Sequence, residues 1–101
     1  MTEITIPFHH EMKLAILHGK KDCTSRNKKY GVPGDYFILD QKKFVVGQIL
    51  KMNLVEVAHM LYAREGFDSP GAFIEYWNML HPRKGYDPHH EVYVHFFKEE
   101  V

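Results

Sequence analysis

Cysteine is nearly missing from this sequence: Cys23 is the only one among 101 residues. A lone thiol excludes an intrachain disulfide and the multi-cysteine sets that hold structural zinc or iron–sulfur clusters, and it fits a reducing compartment. Long apolar runs are missing as well. No stretch approaches the roughly 18 apolar residues of a membrane span, and "MTEITIPFHHEM" has no cationic start leading into an apolar segment. A soluble, cytoplasmic protein with no membrane association is therefore expected. Repeats, low-complexity tracts and Pro/Gly/Ser-rich linkers are also lacking, so residues 1–101 are expected to form a single domain, and an apolar content of 45% suits a packed core. Oligomeric state has no signature in the sequence.

The eight histidines lack the spacing that metal binding uses. His9-His10 and His89-His90 are adjacent pairs, whose side chains diverge on a strand, and neither has the i, i+4 separation of H-E-x-x-H. No metal and no cofactor is expected.

Net charge is absent too, with 13 Lys and Arg against 13 Asp and Glu, but the balance hides an asymmetry. Residues 1–51 carry nine cationic and five acidic side chains, and residues 52–101 carry four and eight. If the fold keeps the two halves on separate surfaces, one face attracts phosphate-bearing partners; if it interleaves them, the charges cancel. The densest cationic stretch is "HGKKDCTSRNKKYGVPGD", with Lys20, Lys21, Arg26, Lys28 and Lys29 inside ten positions.

Hydrophobic periodicity sets the elements. Met12, Ala15 and Ile16, with Leu14 and Leu17, recur at helical spacing and Gly19 can cap the end, so a short helix is expected over about 10–18. Residues 21–26 are too polar for a core strand and suit an edge strand with one face on a cleft, where Thr24 and Arg26 share a side. "GVPGD" is a turn, "DYFILD" a strand, and "FVVGQILKMN" a central strand with Phe44, Val46, Leu50 and Met52 on one face; Gly47 marks a bulge or a close backbone approach. Asn53 caps a helix that runs to Gly66, Ser69 and Pro70 open another carrying Phe73, Ile74, Trp77 and Leu80, and "EVYVHFF" alternates as a closing strand. These elements amount to an α+β domain. A small, closed or partly closed β-barrel flanked by helices would hide the strand edges, and an open sheet covered by helices on one side is the alternative.

The spacing G-x-K-x-x-T-x-R is present as Gly19, Lys21, Thr24 and Arg26. With "GVPGDYF" next and "AREGFDSPGAFIEYW" further on, the sequence from about residue 12 to 97 resembles the ASCH family of the PUA-like superfamily. The resemblance implies a PUA-like β-barrel, associated with RNA binding and RNA modification. Some small members are similar to amidohydrolases that deacetylate N4-acetylcytidine with a Lys, a Thr and a Glu. Carried over, these roles fall on Lys21, Thr24 and Glu65, with Arg26 as a substrate ligand.

The residue chemistry is compatible with that set. Amide hydrolysis needs a nucleophile, a base and an acid for the departing nitrogen. Thr24 can attack, a deprotonated Lys21 can take its proton, Glu65 can shuttle protons to the amine, and Arg26 can hold an oxyanion or a phosphate. A lysine becomes a base only through burial or cationic neighbours, and Lys20 and Arg26 have the required sign. Glu65, at the end of the expected helix, faces the unfavourable end of its dipole at a cost of about 0.3–1 kcal/mol. The plainer reading leaves Glu65 in solvent, paired with Arg64 or Lys21. Lys20, Lys28 and Lys29 are either a solvated surface or a phosphate-contacting rim. Two further functions share these residues: a non-catalytic RNA-binding module, and a ribonuclease using Lys21 and Glu65.

Overall fold

The computed structural model describes residues Met1–Val101. In chain order they form α1 (His10–Leu17), β1 (Cys23–Arg26), β2 (Tyr36–Leu39), β3 (Lys42–Asn53), α2 (Leu54–Met60), α3 (Pro70–Leu80) and β4 (Glu91–Glu100). The strands pair antiparallel in the order β1-β4-β3-β2 and curl into half a barrel. The expected α+β small barrel with flanking helices is the observed architecture. β1 and β2 are its two edges.

Local chemistry explains the joints. Asp40 and Gln41 both take positive φ (49° and 65°), giving a two-residue turn whose twist matches the β2–β3 hairpin. Glu56 Oε1 accepts the Asn53 N–H at 3.0 Å, one arm of a capping box on α2. Ser69 accepts the Ala72 N–H at 3.1 Å to open α3, with Pro70 in its first turn.

Gly47 is a bulge, as its position suggested: Val46 opposes Phe97 while Gln48 opposes Phe96. The extra residue reverses which face β3 presents. Before it, Phe44 joins Ile6, Ile16, Phe37 and Phe97 in one cluster. After it, Met52 packs against the second cluster, Cys23, Leu54, Val57, Ala58, Phe73, Trp77, Val92 and Val94. One strand thus serves two cores. Leu50, expected beside Phe44 and Val46, falls after the bulge and is 39% exposed. No close approach explains the glycine, since a Cβ there meets nothing within 4 Å.

Two further expectations are corrected. β4 does not close the sheet; it lies between β1 and β3, where its two faces serve both cores, Val92 and Val94 in the cluster around Trp77 and Phe97 in the cluster around Phe37. The helix after Asn53 ends at Met60 rather than Gly66. Beyond it the chain turns, Gly66 adopting φ 103°, and the Arg64 carbonyl accepts the N–H groups of Asp22 (2.9 Å) and Cys23 (3.3 Å) at the start of β1.

Candidate active site on the edge of the barrel

The stitch between Arg64 and β1 sets residue 65 beside residue 21. Lys21 and Glu65, 44 positions apart in the chain, meet with Nζ–Oε1 at 3.2 Å, both side chains almost fully buried. Lys21 Nζ also donates to the Glu65 carbonyl at 2.9 Å. The other carboxylate oxygen, Oε2, accepts the Ser25 hydroxyl at 2.6 Å, a short distance typical of an O–H donor on a charged acceptor. Gly66 suits this corner because its φ of 103° is one that residues with a Cβ rarely adopt.

β1 has no strand on its outer side, and a cavity of about 600 Å³ opens along that rim. Its walls are β1, the segment Pro7–His9 with Met12 of α1, and Phe73, Tyr76 and Trp77 of α3. Lys21, Thr24, Ser25, Arg26, Lys28 and Glu65 all line it. The strand has the expected edge position with one face on a cleft, and Cys23, Thr24 and Ser25 are all buried: Cys23 packs into the core with Leu54 and Trp77, while Thr24 and Ser25 line the cavity. Lys20 and Lys29 are not brought to the cavity. Lys20 is exposed in the turn after α1, and Lys29 turns its ammonium to the Tyr93 ring, 6.0 Å from its centroid.

Arg26 is a second cation held in the cavity. Its Nε donates to Thr24 Oγ1 at 3.1 Å, and its guanidinium lies 5.0 Å from the Phe8 centroid and 5.8 Å from that of Tyr30. Burial lowers its pKa from the ordinary value, partly offset by Tyr30 and Glu65, although arginine remains charged. The arrangement leaves the guanidinium Nη groups for an anion or a developing oxyanion.

His95 supports β1 from behind. It is fully buried, accepts the Tyr30 N–H at Nε2 (2.9 Å) and places Nδ1 3.3 Å from the Thr24 carbonyl. With Nε2 accepting, Nδ1 carries the hydrogen. Burial is the main cause holding its pKa below the ordinary value. Cys23 is no nucleophile here: burial, reinforced by Glu65, pushes its thiol far up, and it does not line the cavity.

Two ideas about Glu65 change. It is 3% exposed, so the solvated reading fails, and the helix-dipole argument lapses because α2 ends five residues earlier. Three contributors had no distinct sequence signal as site residues. Ser25 read as the residue after Thr24, His95 as one position in an alternating strand, and Tyr76 as one aromatic among several. The Tyr76 hydroxyl is the one buried side-chain polar atom without a protein partner, and burial raises its pKa.

No protein-family model matches the chain, and no curated protein matches it. Among solved structures, the high-resolution crystal structure of an ASCH domain from Lactobacillus crispatus JV V101 aligns with a TM-score of 0.64 at 11% identity, over 97% of this chain and 78% of that one. The chain has the ASCH-domain fold. Within it, Gly19 takes φ 77° in the turn leaving α1, and Lys21, Thr24 and Arg26 follow along the entry to β1. In this chain Lys21, Thr24 and Arg26 of the G-x-K-x-x-T-x-R spacing line the cavity, while Gly19 turns the chain toward it.

Proposed function

We propose that the protein takes a nucleoside, free or within RNA, into the β1 cavity and hydrolyses an amide on its base, with N4-acetylcytidine as the substrate. The observation that carries this reading is the buried Lys21–Glu65 pair beside two hydroxyls, Thr24 and Ser25, in one cavity. A buried ion pair seldom adds net stability over apolar residues of the same volume. Holding one against a cleft, with hydroxyls in reach, suits proton transfer.

Phe8, Phe67, Tyr76 and Trp77 line the same space and suit the faces of a base. The unpartnered Tyr76 hydroxyl suits a polar group of the ligand. Arg26 receives the oxyanion or a phosphate, and Lys28 lies at the rim. A lone, buried, protonated thiol fits a cytoplasmic setting. No helix is long and apolar enough to cross a membrane.

The test is incubation of purified protein with N4-acetylcytidine, following cytidine by chromatography beside Glu65→Gln. Release by wild type and its loss in the variant support the hydrolase; no release at high enzyme concentration removes it.

A specific observation favours a second reading, a non-catalytic RNA-binding module. Lys28 lies 5.0 Å from the Tyr30 centroid, and Lys29 and Lys51 flank Tyr93 at 6.0 and 5.8 Å, an exposed cationic and aromatic surface suited to a single strand. A ribonuclease using Lys21 and Glu65 would instead cleave the strand, which gel analysis of the same RNA detects.

A further inference from the structure

We propose that Ser25, rather than Thr24, supplies the nucleophile, with Glu65 as its base and Lys21 orienting the base. The proposal rests on the hydrolase reading and names the attacking atom within it. The two candidate hydroxyls are neighbours in β1 and both line the cavity, but their partners differ. Thr24 Oγ1 accepts a hydrogen bond from Arg26 Nε at 3.1 Å, and no carboxylate, imidazole or amine bonds to it. Ser25 Oγ donates to Glu65 Oε2 at 2.6 Å. That is a nucleophile–base contact within the range such pairs use, and the base is in turn held by a third group. Lys21 Nζ fixes Oε1 at 3.2 Å and the residue's own carbonyl at 2.9 Å, leaving Oε2 for Ser25. Thr24 then acts elsewhere in the site, aiming the Arg26 guanidinium.

The chemistry balances with water as the only co-reactant. Ser25 Oγ forms a bond to the acyl carbon while its proton passes to Glu65 Oε2, and the carbonyl oxygen gathers negative charge near Arg26. The tetrahedral species collapses: the carbon–nitrogen bond breaks and the Glu65 proton goes to the leaving amine nitrogen. Water then attacks the Ser25 ester and gives its proton to Glu65. The carbon–Oγ bond breaks, Oγ recovers a proton from Glu65, and the carboxylic acid leaves. Glu65 carries each proton in both halves, and Lys21 keeps its carboxylate placed.

Two arms test this separately from the hydrolase reading. The first treats wild type, Ser25→Ala, Ser25→Cys, Thr24→Ala and Glu65→Gln with p-nitrophenyl acetate, quenches in acid and maps acetylated peptides by mass spectrometry. The proposal expects an acetyl ester on Ser25 in wild type and Thr24→Ala, a thioester at position 25 in Ser25→Cys, and none at that position in Ser25→Ala or Glu65→Gln. Acetylation of Thr24, or none on any hydroxyl, overturns it. Ser25→Cys keeps the side chain's size, so a Ser25→Ala variant that fails to fold does not decide the matter. The second arm measures turnover of N4-acetylcytidine. Ser25→Ala is expected to lose on the order of 10³-fold in kcat with KM nearly unchanged, and Thr24→Ala to lose far less; the reverse order overturns the proposal. Labelled Ser25 without cytidine release from wild type supports the nucleophile and sinks the substrate.

Discussion

Replacing Lys21 with Met should destabilise the protein severely, by an amount the burial of its partner sets. In the native protein the Glu65 carboxylate has one cation at 3.2 Å and one hydroxyl at 2.6 Å, with its side chain 4% exposed. Removing the lysine leaves Ser25 as the sole side-chain partner of a buried charge. Breaking a buried pair in this way costs about 3–5 kcal/mol, and the lost hydrogen bond to the Glu65 carbonyl lies within that figure. A domain of this size has a total stability of roughly 5–15 kcal/mol, and each kcal/mol shifts Tm by about 4 °C or more. A fall of at least roughly 12 °C is therefore expected in a thermal melt followed by circular dichroism. The double variant Lys21→Met/Glu65→Gln removes the stranded charge as well, and should recover at least about 1 kcal/mol relative to Lys21→Met alone. Equal melting of the single and double variants would show that the pair is not formed, and the reasoning built on it would fail.

Other consequences follow from the same geometry. The folded protein holds His95 neutral, with its pKa lowered below the ordinary 6.5, whereas the unfolded chain protonates it near that value. Stability is therefore complete above about pH 6.5 and falls as the pH drops through the folded value; His95→Gln should flatten that part of a urea-unfolding pH series. Asp35 accepts the Val32 and Thr2 N–H groups, each at 2.9 Å, which hold its carboxyl below the ordinary value. Its contribution is present above the ordinary carboxylate range and lost as the pH falls, so Asp35→Asn should be less stable than wild type at neutral pH and equal to it in strong acid. Gly47→Ala should cost under about 0.5 kcal/mol, because nothing occupies the space for a Cβ. Gly66→Ala, at φ 103° beside Lys21, should cost about 1–3 kcal/mol and reduce turnover; chemical denaturation compares the two. If RNA binds the surface at Lys28 and Lys29, replacing both with Gln should lower the salt dependence of binding by about one to two counterions, read by fluorescence anisotropy across a salt series.

Much of the fold was legible because its signals are local. α1 begins at the expected residue and ends one short of its expected end, the Ser69 cap and Pro70 open α3, and Gly47 marked the bulge. What the bulge does was not legible. Strict alternation put Leu50 with Phe44, and only the paired strand reveals the reversal of face after residue 47. The end of α2 was hidden for a similar reason: the Arg64 carbonyl serves β1, and that partner is 42 positions away in sequence for Asp22. For the cavity, the motif spacing and the family resemblance it carries nominated Lys21, Thr24 and Arg26, and the resemblance added Glu65; all four line the cavity. The spacing could not separate them from Lys20 and Lys29, since neighbours in a basic run diverge once the chain turns. Ser25 was overlooked because its importance lies in one contact across the fold, to Glu65.

The measurement closest to the central claim is a crystal structure of the Glu65→Gln variant with N4-acetylcytidine. The base is expected among Phe8, Tyr76 and Trp77, its acetyl carbonyl facing Arg26 and its carbonyl carbon within reach of Ser25 Oγ. A nucleoside lying outside the β1 cavity, or a cavity left empty at saturating ligand, would contradict the assignment.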